Sequence, residues 1–458
     1  MIGRYPSSAV VYGVVASWVA VLFVAAGWGV QLDQEWPAWR TGLSAMSLWG
    51  VNLLLLYYCI GPPFTLSRIP MLSVTFALLM TVFGSASYWA TTQLFPTYHV
   101  FIERAAVFIA SCTLFSLIGC IVSETCWAGT ATKSWVYVWD WNRLRLVTYV
   151  LFLACVVGTF VSIRRIGYVP AVQGDPESLR VEFPAIAGIW YRLSMLGIVV
   201  GLIAGAQVCG RRATWTLWGM GVLGLVCASL YGNRFFVALP AGACVLLWNQ
   251  VRSRISARTV AISFMAGVPV FALFGFWRQQ DTGVSLLGPI ALVLYGTLSE
   301  FRDVGWTLDF YSGPHPLLHG STLGGLFVPL LPSAVWSVFG VDKAAVFAHS
   351  NAAVLAQEMG QFAAQRIGIY GELFMNFGWI GSFVGALLYG MVVGYLDRRF
   401  LALSDGRVVG GVVLAVIAVA ILYAQVGQWN MLTSTITSSC YPILLLALFA
   451  ARRLPGSA

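Results

Sequence analysis

The run LVTYVLFLACVVGTFVSI, residues 146–163, contains no charged side chain over eighteen positions. Arginines stand on both sides of it, with Arg143 and Arg145 before the run and Arg164 and Arg165 after it. A helix needs about 20 mainly apolar residues to cross the hydrocarbon of a bilayer. The run therefore predicts a transmembrane helix, and similar runs recur along the chain.

The composition of the 458-residue chain excludes a soluble globular protein. Hydrophobic residues make up 59% of it and charged residues 9%, whereas about 45 to 50% apolar residues is ordinary for soluble domains. Uninterrupted apolar runs argue against a transmembrane β-barrel, whose strands give weak alternating segments of about ten residues. The net charge of +9 does not indicate a nucleic-acid partner, because no basic domain or arginine-rich tail carries it. We therefore predict an all-α polytopic membrane protein.

Twelve apolar runs are candidates for membrane spans, which gives one integral membrane domain over residues 1–458 with about twelve transmembrane helices. The runs cover residues 9–30, 43–60, 71–90, 105–123, 146–163, 186–208, 214–231, 235–248, 260–276, 369–394, 408–426 and 431–450. The eighth is short, and as a re-entrant segment it would make the count eleven or reverse part of the topology. The first is too long for the apolar core of a signal peptide, so we keep it as a helix.

Positive charge orients these predicted helices. With the N-terminus in the cytoplasm, fifteen of the 26 Lys and Arg residues lie inside, mostly in short loops, which satisfies the positive-inside rule. They are Arg4, Arg68, Lys133, Arg143, Arg145, Arg211, Arg212, Arg252, Arg254, Arg258, Arg398, Arg399, Arg407, Arg452 and Arg453. Both termini are then cytoplasmic, and residues 278–367 form one large outer loop on the periplasmic or extracellular side.

Arginines on the predicted outer side are exceptions to the charge rule. Arg234 and Arg278 each adjoin an apolar run, and Asn233 and Arg234 lie in a short turn between two runs that resemble a helical hairpin. A guanidinium group has the planar fork that suits phosphate oxygens, so a diphosphate at the membrane surface is the ligand that these residues suggest. The alternative is that such arginines only anchor helix ends at lipid phosphates.

The predicted outer loop holds three of the four histidines, His315, His319 and His349. Two prolines and two glycines within residues 312–320 predict an irregular loop around the first two. Pro316 separates those two histidines, which argues against the shared helical face of a zinc pair, and no glutamate follows in metalloprotease spacing. We therefore predict no metal site here.

Two polar helix faces follow in the sequence. The first belongs to a helix predicted over residues 352–365, which begins just after His349; Glu358 shares a face with two glutamines there, as either a solvated surface or a face for sugar hydroxyls. The second is formed by Glu372 and Asn376, four residues apart near the outer end of a predicted span. Unpaired polar groups are costly at that depth, so these two are candidates for function.

Four glycines further along the same span, Gly381, Gly385, Gly390 and Gly394, repeat the spacing of small residues that lets helices approach closely. We assign them to helix packing.

Five short motifs occur in a fixed order in the second half of the chain. They are Gly232-Asn233-Arg234, Arg278 at the end of a span, Arg302-Asp303, a loop leading to Phe327-Val328-Pro329-Leu330-Leu331-Pro332-Ser333, and Gly371-Glu372-Leu373-Phe374-Met375-Asn376-Phe377-Gly378. Together they resemble the Wzy-type oligosaccharide repeat-unit polymerases, which assemble O-antigen and exopolysaccharides. The resemblance covers mainly residues 222–394.

The resemblance implies a many-helix protein of the bacterial inner membrane that transfers a growing glycan from its undecaprenyl diphosphate to an incoming lipid-linked repeat unit. Outer arginines would hold the diphosphate; Arg234, Arg278 and Arg302 are the matching positions, and Arg366 is a further candidate for the same role. The candidate catalytic residues are His349, Glu358 and Glu372, and the candidate substrate-binding residues are Asn233, His315, His319 and Asn376. Membrane lipids and a chain-length regulator protein are the expected partners, and no cofactor is expected.

Two other activities stay open from the sequence. An O-antigen ligase would pass the same donor to another acceptor, and the acceptor is not written in the sequence. A flippase or transporter for the lipid-linked glycan is the alternative outside enzymes, although the predicted spans are nearly free of charge and the two halves of the chain do not look alike.

Overall fold

The computed structural model of this protein describes fourteen stretches of the chain. They are residues 47–56, 68–91, 101–126, 137–173, 182–209, 215–231, 235–251, 300–313, 315–327, 333–342, 367–402, 409–426, 432–433 and 436–453. Of the interpretable residues, 89% are helical, which agrees with the predicted all-α class.

Thirteen α-helices are labelled here in chain order, with one pair of short strands. The helices are α1 (Ser47–Leu56), α2 (Ile69–Thr91), α3 (Phe101–Cys126), α4 (Trp141–Ile166), α5 (Pro170–Gln173), α6 (Pro184–Cys209), α7 (Trp215–Ser229), α8 (Phe235–Val251), α9 (Glu300–Ser312), α10 (Ser333–Val338), α11 (Gly368–Ala402), α12 (Val409–Val426) and α13 (Tyr441–Ala450). The strands are β1 (Tyr137–Trp139) and β2 (Ala451–Arg453). A 3-10 helix, Ser321–Leu326, follows α9, and a π-helical turn, Ile436–Cys440, precedes α13.

Four helices within the described ranges are long and apolar enough to cross a membrane, and several shorter apolar helices accompany them. The four are Arg104–Cys126, Trp141–Ile166, Ala185–Gln207 and Gly368–Leu401. These helices agree with a multi-pass membrane protein, while the count of twelve spans stays a prediction. The predicted spans 9–30 and 260–276 lie outside the described residues.

Helix α4 shows how the sequence sets the ends of one such helix. Asp140 caps its first turn, because the carboxylate accepts hydrogen bonds from the backbone N–H groups of Asn142 at 3.1 Å and Arg143 at 3.5 Å. Gly167 ends it with φ at 85°, a left-handed conformation that favours glycine, and its N–H bonds the carbonyl of Ile163. The eighteen uncharged residues quoted above lie between these two caps.

Helix α11 is not a straight rod, because the chain reverses at Gly378. Tyr370 and Tyr389 would lie about 28 Å apart in one continuous helix, yet their ring centroids are 6.2 Å apart. Gly378 has φ 66° and ψ −161°, a backbone region that is essentially reserved for glycine. The predicted span 369–394 is therefore a helical hairpin with a short arm, residues 368–377, and a long arm, residues 379–402.

The short arm is enclosed by the rest of the protein, since every residue from 367 to 376 is buried. The long arm has 24 residues, or about 36 Å of helix, which is enough to cross a bilayer. Gly381 and Gly385 lie between the arms, because a Cβ at either would meet Phe377 or Leu373 of the short arm. These two glycines thus permit the arms to fold together.

Helix α3 packs closely along the long arm and runs in the same direction. A Cβ on Gly390 would overlap the backbone of Ser116, and one on Gly394 would come within 2.9 Å of the Cα atom of Cys120. The Cys120 thiol also donates to the carbonyl of Gly390 at 3.1 Å. The prediction that Gly390 and Gly394 serve helix packing is confirmed, and the partner is α3.

Helices α4, α6, α7 and α8 form a second group in which neighbours meet through small residues. A Cβ on Gly197 of α6 would lie 2.6 Å from the carbonyl of Gly224 in α7, and one on Gly205 would overlap Cys244 of α8. The turn after α7 contacts α5, where the N–H of Ala171 donates to the carbonyl of Leu230 at 3.1 Å. This turn leads to Asn233 and Arg234, which lie outside the described residues.

Part of the predicted outer loop is a helix inside the bundle. Helix α9 packs against α2, α3 and α11, and Asp303, Val304, Thr307 and Leu308 are buried. Val304 faces Gly371 of the short arm. Hence α9 and the short arm lie side by side, and residues 315–327 follow α9 over the bend of the hairpin.

Candidate functional site

The loop after α9 caps the end of the short arm. A helix leaves its last carbonyl groups without partners, and they need donors when they are buried. Here the N–H of Leu318 donates to the carbonyl of Met375 at 2.9 Å, and the N–H of His319 donates to the carbonyl of Asn376 at 3.0 Å. The loop is therefore built onto the hairpin, beside Gly378.

The side chain of Asn376 ties this loop to the helix. Its Oδ1 accepts from the N–H of Gly320 at 2.9 Å, while its Nδ2 donates to Thr322 Oγ1 at 2.7 Å and to the carbonyl of Glu372 at 2.8 Å. Thr322 in turn donates to Glu372 Oε1 at 3.0 Å. Asn376, Thr322 and Glu372 are all buried. We call these three residues, with Gly320, the clasp.

Backbone geometry at His319 depends on the clasp. His319 has φ at 48°, the one positive φ outside glycine among the described residues, and Gly320 follows with φ at 87°. Two consecutive residues in this region turn the chain sharply, at some cost for a residue with a Cβ. The bonds that Gly320 and Asn376 make across the turn hold it in place, and the His319 side chain is exposed beside it.

His315 is held by aromatic stacking. Its ring lies on that of Phe310 with centroids 3.7 Å apart and planes 14° apart, and Phe310 stacks on Trp306 at 4.8 Å. Trp306 and Phe310 are four residues apart on one face of α9, which is the spacing that brings helical side chains together. His315 is exposed, so it is the solvent-facing end of a stack of three rings formed with Trp306 and Phe310.

The other residues predicted for the site divide into two sets. Arg302 lies in α9, one residue before the buried Asp303, and only its backbone is described. Those outside the described residues are Asn233, Arg234, Arg278, His349, Glu358 and Arg366. The structure thus brings together His315, His319, Glu372 and Asn376, near the helix that carries Arg302.

A second polar cluster lies at the far end of the long arm. Asp397 is nineteen residues beyond Gly378, which is about 28 Å of helix and close to the thickness of a bilayer's hydrocarbon. Its buried carboxylate accepts from Arg68 Nε at 2.5 Å and from the N–H of Ile69 at 2.7 Å. Arg68 also donates to Glu124 at 2.8 Å. This cluster joins the ends of α2, α3 and α11.

The two acids of that cluster stabilise the charged form of Arg68. Burial lowers the pKa of Arg68, but the charges and hydrogen bonds of Asp397 and Glu124 outweigh burial and raise that pKa above its usual value. Arg398 adds hydrogen bonds to the carbonyls of Ser123 and Glu124. The cluster is therefore a fixed ionic junction rather than a group of mobile surface charges.

Between the two ends lies a chain of uncharged polar groups. Tyr370 at the start of the short arm shares a hydrogen bond with Ser116 of α3 at 3.0 Å and accepts one from Gln425 of α12 at 3.4 Å. Gln425 accepts from Ser73 of α2 at 2.7 Å. These bonds connect Tyr370, at the start of the short arm, to the three helices α2, α3 and α12.

Several residues of these clusters are not apparent from the sequence pattern. Thr322 lies in a glycine-rich segment where nothing in the local pattern distinguishes it from a solvated threonine. Asp397 gave a weak signal, as an acid beside two arginines at the end of an apolar run, but its partner Arg68 is 329 residues away. Among the described residues, no group of three His, Cys, Asp or Glu residues could hold a metal ion.

Comparison with known proteins gives no match: no family model, no curated protein and no solved structure matches the chain.

Proposed function

We propose that this protein is a membrane glycosyltransferase that joins polyprenyl-diphosphate-linked oligosaccharide repeat units into a polysaccharide, as Wzy-type polymerases do. One observation carries the proposal. Two of the five motifs on which the resemblance rests, Arg302-Asp303 and the segment from Gly371 to Gly378, belong to one structural unit of α9, the clasp and the short arm, together with residues 315–327, which lead to a third motif.

The proposed reaction is a single displacement at the anomeric carbon of the donor sugar. A hydroxyl oxygen of the incoming repeat unit forms a bond to that carbon, the bond from the carbon to the diphosphate oxygen breaks, and a base takes the hydroxyl proton. The polyprenyl diphosphate leaves with the bonding electron pair. Energy comes from the activated donor, so no nucleoside triphosphate enters the scheme.

Arginines act on the leaving group in this proposal. The candidates are Arg234, Arg278, Arg302 and Arg366, whose guanidinium groups would neutralise the charge that grows on the diphosphate. Such fixed electrostatic stabilisation in a water-poor site is often the largest single contribution to catalysis. A base for the acceptor hydroxyl would add a factor of about 10² to 10⁴.

Glu372 takes a positioning role in the proposal. Its carboxylate is buried and accepts from Thr322, so it holds the loop that carries His315 and His319. The base is then to be sought among the exposed His315 and His319 and, outside the described residues, His349 and Glu358. His349 is our first choice, because it directly precedes the predicted polar helix.

The clasp end would face the periplasm. The arginine-rich end near Asp397 carries Arg68, Arg398 and Arg399, and the positive-inside rule would put such an end in the cytoplasm. The clasp lies about 28 Å away along the long arm. Lipid-linked glycans with phosphates at headgroup depth would then meet His315 and His319 at the outer surface of an inner membrane.

Transport of the lipid-linked glycan is the second candidate, and one observation favours it. The short arm is a half-length helix enclosed in the bundle, and discontinuous helices of this kind often form the binding sites of transporters. A ligase reaction is the third, with the same donor chemistry and another acceptor.

The proposed function is tested by mixing the purified protein with its lipid-linked repeat unit and separating the products by length. A ladder that lengthens with time is expected. One product that appears only with a second, non-identical acceptor would indicate a ligase. An unchanged substrate that nevertheless crosses the bilayer of a proteoliposome would indicate a transporter and refute the polymerase.

A further inference from the structure

The start of α4 and the end of α13 are tied together at one corner of the bundle. Strand β2, at the end of α13, pairs antiparallel with β1, which precedes α4, so that Arg452 lies opposite Val138. The N–H of Asp140 also donates to the carbonyl of Ala450 at 2.6 Å. The corner is therefore a fixed part of the fold, made from residues over three hundred positions apart.

Three exposed arginines lie at this corner, two of them in α4 and one in β2. Arg143 lies in the first turn of α4, Arg145 follows two residues later on another face of the helix, and Arg452 lies in β2. The Arg143 side chain is 71% exposed and its Nη1 donates to the carbonyl of Phe449 at 3.4 Å. Among the described residues at the corner the acid is Asp140, which lies 3.8 Å from Arg143 and caps α4, so the arginines there outnumber it.

Exposed apolar side chains lie next to the arginines on α4 and α13. Leu146 is one turn beyond Arg143 on α4 and is 65% exposed, while Leu448 and Phe449 at the end of α13 are 78% and 70% exposed. Large apolar side chains exposed on helices of this hydropathy face lipid chains. The corner thus joins a cationic end to an apolar face, as the two parts of a phospholipid require.

We propose that this corner is a binding site for an anionic phospholipid. In this proposal Arg143 and Arg452 bind the phosphate, Arg145 adds positive charge from another face of α4, and the acyl chains lie along Leu146, Leu448 and Phe449. Guanidinium groups suit phosphate oxygens, and anionic headgroups add a favourable field for basic residues next to a membrane. The site is independent of the activity proposed above, because it lies at the junction of α4 and α13 and not at the clasp.

The site is tested by native mass spectrometry of the full chain, released from detergent micelles that contain phosphatidylglycerol or phosphatidylcholine. The wild-type protein is expected to retain phosphatidylglycerol in preference to phosphatidylcholine. The triple variant Arg143→Gln, Arg145→Gln, Arg452→Gln is expected to lose that preference by about tenfold or more, since each basic residue contributes several-fold.

A matched control comes from the other end of the same helix. Arg164 and Arg165 are exposed in the last turn of α4, and the double variant Arg164→Gln, Arg165→Gln should retain phosphatidylglycerol as the wild type does. Equal retention by the triple variant and the wild type would overturn the proposal, as would equal loss in the control. Full displacement of the lipid by inorganic phosphate would indicate a simple anion site and would also overturn it.

Discussion

Asn376 uses every hydrogen-bonding atom of its side-chain amide to hold the clasp. Replacement by Ala leaves the buried Thr322 hydroxyl and the N–H of Gly320 without those partners, which costs about 1 to 3 kcal/mol. We expect Asn376→Ala to raise amide hydrogen exchange in residues 315–327 by about tenfold or more, with little change in α4. Asn142→Ala, an exposed position in α4, is the control, and unchanged exchange in the loop would show that the clasp does not depend on Asn376.

Gly378 is the residue at which the hairpin reverses. Its φ of 66° and ψ of −161° are strained for any residue with a Cβ, and that atom would lie 3.3 Å from Leu317. Gly378→Ala should therefore lower the free energy of unfolding by about 1 to 3 kcal/mol, measured as a lower thermal midpoint in detergent. Gly219→Ala in α7, where a Cβ meets open space, should instead leave the midpoint unchanged or raise it. A Gly378→Ala midpoint equal to that of the wild type would argue against the reversal.

Among the elements, α3 and the long arm of the hairpin are in close contact because glycine stands where the two helices meet. A Cβ on Gly390 would overlap the carbonyl oxygen of Ser116, so Gly390→Ala must push the helices apart and disturb the Ser116 and Cys120 hydrogen bonds. We expect a loss of about 1 to 3 kcal/mol in the free energy of unfolding. Gly50→Ala, in α1 with nothing near its Cβ, should be close to neutral. Equal thermal midpoints of unfolding for Gly390→Ala and Gly50→Ala would contradict the close packing of α3 on the long arm.

The sequence predicts a helix correctly where hydropathy alone determines that the segment is helical. The predicted spans 71–90 and 105–123 correspond to α2 and α3, because long apolar runs must form helices to satisfy their backbone groups in lipid. The hairpin was not predicted, since Gly378 lies in an apolar run where a change of φ leaves no mark on hydropathy. Glu372 and Asn376 were found because they interrupt that run, whereas Thr322 was missed because its burial depends on a contact made fifty residues away.

At the scale of the whole molecule, the two polar clusters define two ends. Cysteines introduced at Ser312 and Ser321, both exposed near the clasp, should react with a membrane-impermeant thiol reagent in cells with a permeable outer barrier. The native Cys126, exposed near the Arg68 cluster, and a cysteine introduced at Ser404 should react only after the inner membrane is opened. Labelling at Cys126 or Ser404 in intact cells without labelling at Ser312 would invert the proposed topology.

Glycan transfer at the clasp end, as proposed above, is tested by single-turnover lengthening of the lipid-linked repeat unit. Thr322→Val keeps the shape of the side chain but removes the hydroxyl that joins Asn376 to Glu372. Displacing a positioned loop by even about 1 Å can cost on the order of a hundredfold in rate. Thr159→Val, at a buried threonine of α4, is the matched control. We expect the wild type and Thr159→Val to lengthen the glycan at equal rates, and Thr322→Val to bind the donor normally but to react at least about tenfold more slowly. Lengthening by Thr322→Val at the wild-type rate would contradict the proposal that the clasp positions the reacting groups.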